Sequence, residues 1–80
     1  MMSTAPVQGA QVVSRIAALL RLVGRSAEGM PLADLVRGSG LTRPTVHRLL
    51  TSLASEGLLD HDPVTGNWVL GPEVLLMGSV

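Results

Sequence analysis

The sequence predicts a mainly helical α+β domain: a three-helix core, a two-stranded β-hairpin and the start of a further helix. Three observations lead there. Apolar residues recur at helical spacing in successive stretches up to Leu53. Beyond Gly57 the period changes to two, in short runs on either side of Asp62-Pro63-Val64-Thr65-Gly66. Glycines at 40, 57 and 71 fall at the joints between these stretches.

Eighty residues allow one small domain, so added stabilisation from a dimer or a partner domain is expected. The hydrophobic share of 46% argues against disorder. Phe and Tyr are absent, which makes the core aliphatic. With no cysteine there is no disulfide scaffold and no Cys-based zinc site. Residues 1–10 lack a basic start and an apolar run, so they read as a flexible tail rather than a signal peptide. The stretch Ile16 to Val23 is interrupted by Arg21 and is too short to span a bilayer. A soluble, cytoplasmic protein without membrane, metal or cofactor is expected.

From Gln11 to Ala27 the pattern is helical. Val12, Ile16, Leu19, Leu20 and Val23 share a face, Arg21 and Leu22 lie off its centre, and Glu28-Gly29 ends the helix. Met30-Pro31 reads as an extended link, because the residue before proline avoids the helical region. A short second helix runs from about Pro31 to Ser39, with Asp34 in its first turn, Leu32, Leu35 and Val36 as its apolar face, and Gly40 as its stop. Gly38 in its last turn costs roughly 1 kcal/mol against alanine, so that end is expected to fray.

The third helix follows after Gly40-Leu41-Thr42. Thr42 can cap it, Pro44 is tolerated in its first turn, and Gly57 can end it in the left-handed conformation with Leu58 folded back on Leu53. Val46, Leu49, Leu50 and Leu53 make its apolar stripe. Arg43, Pro44, Thr45, His47, Arg48, Thr51 and Ser55 lie away from it. Leu58 to His61 and Asn67 to Leu70 then read as strands joined by a turn with proline early and glycine late. Gly71-Pro72 breaks the sheet. Residues 72–80 begin another helix, whose apolar residues have nothing further in the chain to cover.

A short helix, a three-residue link with glycine and a longer helix make a helix-turn-helix pattern. With the first helix and the hairpin this is the winged helix-turn-helix layout over residues 11–71. A helix of about 14 residues, ~21 Å long and about 10–12 Å across, fits the major groove of B-DNA. Its outer face carries donors and small side chains and no acid before Glu56. Arg48, in the middle of that face, can bond guanine O6 and N7. Arg43 and Thr45 suit phosphates at the helix N-terminus, with first-turn capping as the plainer role for Thr45. His47 borders the face, as a groove donor or a solvated flank. Trp68, opposite Leu59, reads as core rather than as a stacking platform for a base. Asp60, His61 and Asp62 alternate between faces and cannot converge on a metal.

Net charge is zero, which counts against nucleic acid. The distribution is uneven. Six arginines against Glu28 and Asp34 leave residues 1–48 at +4, and four acids with no base leave the remainder at −4. A winged-helix module for protein–protein contact or dimerisation is therefore the alternative function. No nucleophile–base pair or phosphate loop points to an enzyme.

Four segments carry a family resemblance. They are Val12-Val13-Ser14-Arg15-Ile16-Ala17-Ala18-Leu19-Leu20, Gly40-Leu41-Thr42-Arg43-Pro44-Thr45-Val46-His47-Arg48-Leu49-Leu50, Leu53 through Gly57-Leu58, and Asp62-Pro63-Val64-Thr65-Gly66-Asn67-Trp68-Val69-Leu70-Gly71. Together they resemble the N-terminal DNA-binding domain of the IclR family of bacterial transcriptional regulators. The resemblance covers about residues 11–77. It implies a third helix in the major groove, with DNA contacts from the positions of Arg43, Thr45 and Arg48. It also implies a homodimer on a palindromic operator, and a linker helix followed by a C-terminal domain that binds a small-molecule effector. Residues 72–80 would be the start of that linker, and the chain a DNA-binding fragment of a longer regulator. Two positions depart from the family pattern: Asn67 stands where a base is common, in a wing without Lys or Arg, and Pro44 stands where serine is usual.

Overall fold

A computed structural model describes residues 8–78 of the chain. The elements follow the expected order: helices α1 (Gln8–Val23), α2 (Leu32–Ser39) and α3 (Arg43–Ser55), strands β1 (Leu59–His61) and β2 (Trp68–Leu70), and helix α4 (Pro72–Met77). Of the expected tail, residues 1–7 lie outside the described residues, and residues 8–10 already belong to α1.

The core has contributions from every element but α4. Leu19, Leu22 and Val23 of α1 meet Leu35 of α2, Val46, Leu50 and Leu53 of α3, Leu59 of β1 and Trp68 of β2. Helix α2 packs on both α1 and α3, while β1 lies against α3 and β2 against α1. Leu22, expected off the buried stripe, is core. The reason lies across the helix pair. A Cβ at Gly38 would sit 3.1 Å from Leu22 Cδ2, so the glycine expected to fray α2 instead makes room for Leu22. Val12, expected on the buried face, is 40% exposed, because residues 9–18 of α1 include no buried one.

Helix α1 stops at Val23, short of the expected Ala27. Met30 sets this limit. Its N–H donates to the Trp68 carbonyl at 2.9 Å and its carbonyl accepts from the Trp68 N–H at 2.8 Å. The extended link thus pairs with β2 as an isolated antiparallel bridge, and residues 24–29 must turn the chain towards it. Gly29 makes the approach possible. Its φ is +77°, and a Cβ there would run into the Trp68 carbonyl oxygen.

Helix α3 ends as expected. Gly57 has φ +76°, its N–H donates to the Ala54 carbonyl at 3.0 Å, and the Leu58 N–H donates to the Leu53 carbonyl at 3.0 Å. This is the Schellman arrangement, and it turns the chain into the hairpin. The strands pair antiparallel in the register Leu59↔Leu70, Asp60↔Val69 and His61↔Trp68. Helix α4 is tied to the same joint, with the Glu73 N–H on the Gly57 carbonyl at 3.0 Å and the Gly71 N–H on the Leu58 carbonyl at 2.9 Å.

The two left-handed glycines at 29 and 66 separate conformational strain from crowding. A Cβ at Gly66 meets nothing within 4 Å. Gly66→Ala should therefore cost only the left-handed penalty, about 1–2 kcal/mol. Gly29→Ala adds a collision and should cost about 3 kcal/mol or more by urea unfolding. Equal losses in the two variants would show that the Met30–Trp68 pairing does not depend on that close approach.

Candidate nucleic-acid interface

Helix α3 turns Val46, Leu50 and Leu53 inward, with Leu49 partly buried beside them. Arg43, Pro44, His47, Arg48 and Thr51 are exposed on the rest of its surface, and Thr45 is partly buried. All six expected site residues therefore stand on one 13-residue helix, within a stretch of about 12 Å along its axis. Among the described residues the ion pair that forms joins Arg37 to Asp34 within α2, so neither Arg43 nor Arg48 is neutralised by a carboxylate.

The N-terminal end is arranged differently from a capped helix. Thr42 has the extended backbone of an N-cap (φ −72°, ψ 155°), but its side chain makes no capping hydrogen bond. Its hydroxyl donates instead to Thr45 Oγ1 at 2.9 Å. The first-turn N–H groups of Arg43 and Thr45 are left without a side-chain acceptor, and Pro44 has none to offer. Thr45 keeps its own hydroxyl proton, because in that bond it is the acceptor. Further along, Thr51 Oγ1 donates to the His47 carbonyl at 2.7 Å, and Ser55 Oγ to the Ser52 carbonyl at 2.7 Å. The sequence shows these hydroxyls on the face but not which of them are already occupied.

The wing spends its polar groups internally. Asn67 Nδ2 donates to the Glu28 carbonyl at 3.1 Å, which fastens the hairpin to the turn after α1. The His61 ring lies 4.7 Å from that of Trp68, and its Nε2 is 3.0 Å from the Gly66 carbonyl. Trp68 is buried as expected, but it stands opposite His61 rather than Leu59, which pairs with Leu70. Among the described residues no cluster of His, Cys, Asp and Glu can hold a metal ion, and no helix is long and apolar enough to cross a membrane.

A family profile described as the IclR helix-turn-helix domain matches residues 12–63. The chain belongs to the IclR family. What this IclR-family chain carries is the DNA-binding helix-turn-helix domain of a transcriptional regulator, and members of the family are not enzymes. That answers the question posed by its zero net charge in favour of DNA. The glycerol operon regulatory protein of Streptomyces griseus is 36% identical over 69 residues, 86% of this chain and 27% of that protein. The transcriptional repressor IclR of Escherichia coli is 32% identical over 78 residues, 96% of this chain and 28% of that protein. A crystal structure of an IclR-family protein from Rhodococcus sp. superposes with a TM-score of 0.75 at 30% identity, over 98% of this chain and 30% of that one. The chain thus spans under a third of the length of each of these relatives.

Asp62 organises the wing tip. Its Oδ1 accepts from the Val64 N–H at 2.8 Å and, more weakly, from the Thr65 N–H at 3.4 Å. These backbone donors, Val64 first, hold its carboxyl below the ordinary value of 3.8. The folded pKa lies under the unfolded one, so the turn gains stability that is fully present above the unfolded value and disappears as pH falls through the folded one. Hydrogen exchange should show the Val64 amide losing protection as the solution is acidified below 3.8. In Asp62→Ala that protection should be low throughout, and an acid-insensitive Val64 amide in the parent protein would contradict the role given to Asp62.

Proposed function

We propose that this protein reads a palindromic operator as a homodimer, with α3 of each copy in the major groove. The observation that carries the reading is the free guanidinium of Arg48, in the middle of the exposed face and opposite the buried Val46–Leu50–Leu53 seam. Arg48 takes a guanine edge. Arg43, the Thr45 hydroxyl and the first-turn N–H groups take phosphates, as a helix N-terminus favours. Pro44 and Thr51 supply small surfaces that let the helix approach the bases, and His47 lines the edge of the contact. A two-fold dimer sets the half-sites about 34–36 Å apart, one turn of the duplex.

Relatives named as repressors, among them an acetate operon repressor of Salmonella typhimurium and the Escherichia coli protein, support repression as the outcome of binding. Small-molecule control belongs, in this reading, to an effector domain outside residues 8–78. The bacterial sources of these relatives support a reading in which the protein works in the cytoplasm.

Two substitutions separate the roles. Arg48→Ala should weaken binding to a site selected from random duplex DNA by about tenfold or more, and should relax the preference at one base position per half-site. Arg43→Ala should weaken all sequences alike and reduce the salt slope of binding by about one for each contact removed. An unchanged affinity in Arg48→Ala would show that α3 does not read DNA with this face.

A further inference from the structure

Thr51 is exposed on α3, yet its hydroxyl does not face outward as a free donor. A threonine hydroxyl carries one proton. Here that proton goes to the His47 carbonyl one turn back, at 2.7 Å. The bond draws the oxygen against the helix backbone, a conformation open to threonine in a helix. The γ-methyl is the part of the side chain left without a hydrogen bond. Ser55 makes the same kind of internal bond but has no methyl to present. Of the two threonines of α3, Thr45 is partly buried at the N-terminal end and Thr51 is exposed, so Thr51 is the one that offers a methyl where the face should meet bases.

Its neighbour fixes where that carbon would act. Arg48 precedes Thr51 by three residues, which places the two side by side on the helix surface and about 4.5 Å apart along the axis. Base pairs stack about 3.4 Å apart. Adjacent side chains therefore address adjacent or next-nearest base pairs. In the major groove the partner for a methyl group is the 5-methyl of thymine.

We infer that Thr51 is an apolar, specificity-determining reader, whose γ-methyl packs on a thymine methyl one or two base pairs from the guanine bound by Arg48. The inference rests on the proposed placement of α3 in the major groove and adds to it a base class at a named residue. Thr51 selects thymine by a methyl contact, and its hydroxyl serves the helix.

The test uses operator duplexes selected by the protein from random DNA. Each thymine is replaced singly by uracil, which removes one methyl and leaves every hydrogen-bonding group in place. One thymine per half-site, beside the Arg48-dependent guanine, should weaken binding about fourfold on replacement, the weight of one buried methyl group. Thr51→Val keeps a methyl and should retain that fourfold dependence. Thr51→Ser loses the methyl and should bind both duplexes equally. Two results overturn the inference: no thymine whose methyl matters in the parent and ceases to matter in Thr51→Ser, or a Thr51→Val protein that selects a different base at that position. The second result would make the hydroxyl the reader, as an acceptor from a cytosine or adenine amino group. Uracil indifference combined with a loss on Arg48→Ala removes the methyl reading alone. Indifference to Arg48→Ala as well removes the groove placement beneath it.

Discussion

Val46, Leu50 and Leu53 hold α3 in one rotation about its own axis, and everything the helix can present follows from that. All three are buried, and each such side chain contributes about 1.5–3 kcal/mol relative to exposure. Rolling the helix by one residue, about 100°, would expose part of this seam and carry charged or polar side chains towards the core. Burying an unpaired guanidinium costs several kcal/mol more. The apolar term and the charge term therefore favour the same orientation. Arg43 and Arg48 stay in solvent because the leucines of the same helix have nowhere else to go.

The rest of the fold keeps that helix where it is. A two-stranded hairpin is marginal alone, and here each strand has a helix to lie against. Met30 adds a bridge on the outer side of β2, and Asn67 ties the hairpin to the turn after α1. The Gly57 turn fastens the end of α3 to β1 and to the first turn of α4. These ties are backbone hydrogen bonds except for that of Asn67. The cationic side chains lie outside the wing, in residues 1–48, with Arg43 and Arg48 on α3.

The helices and hairpin were readable because their signals are local. Period, proline at a helix start and glycine at a helix stop each act within a few residues, and they placed α2, α3, β1 and β2 nearly where they lie. Long-range contacts were not readable. Nothing near Leu22 says that Gly38 will make room for it, and nothing near Gly29 says that the Trp68 carbonyl lies against it. The end of α1 moved for the same reason, since Met30 is extended by pairing with a residue 38 positions later. On the candidate interface, the sequence placed the side chains on a face but not their hydrogen bonds. Whether Thr42 caps the helix or holds Thr45, and whether Thr51 points a hydroxyl or a methyl outward, depends on rotamers that spacing does not encode.

In the proposed complex, the surface opposite the leucine seam of α3 is what meets the duplex. Nitrogen-15 NMR of the protein titrated with a selected operator tests it residue by residue. The largest amide shifts should fall between Thr42 and Ser52, with small changes in α4 and at the wing tip. Shifts centred on residues 60–67 or on α4, with 43–51 unmoved, would contradict it.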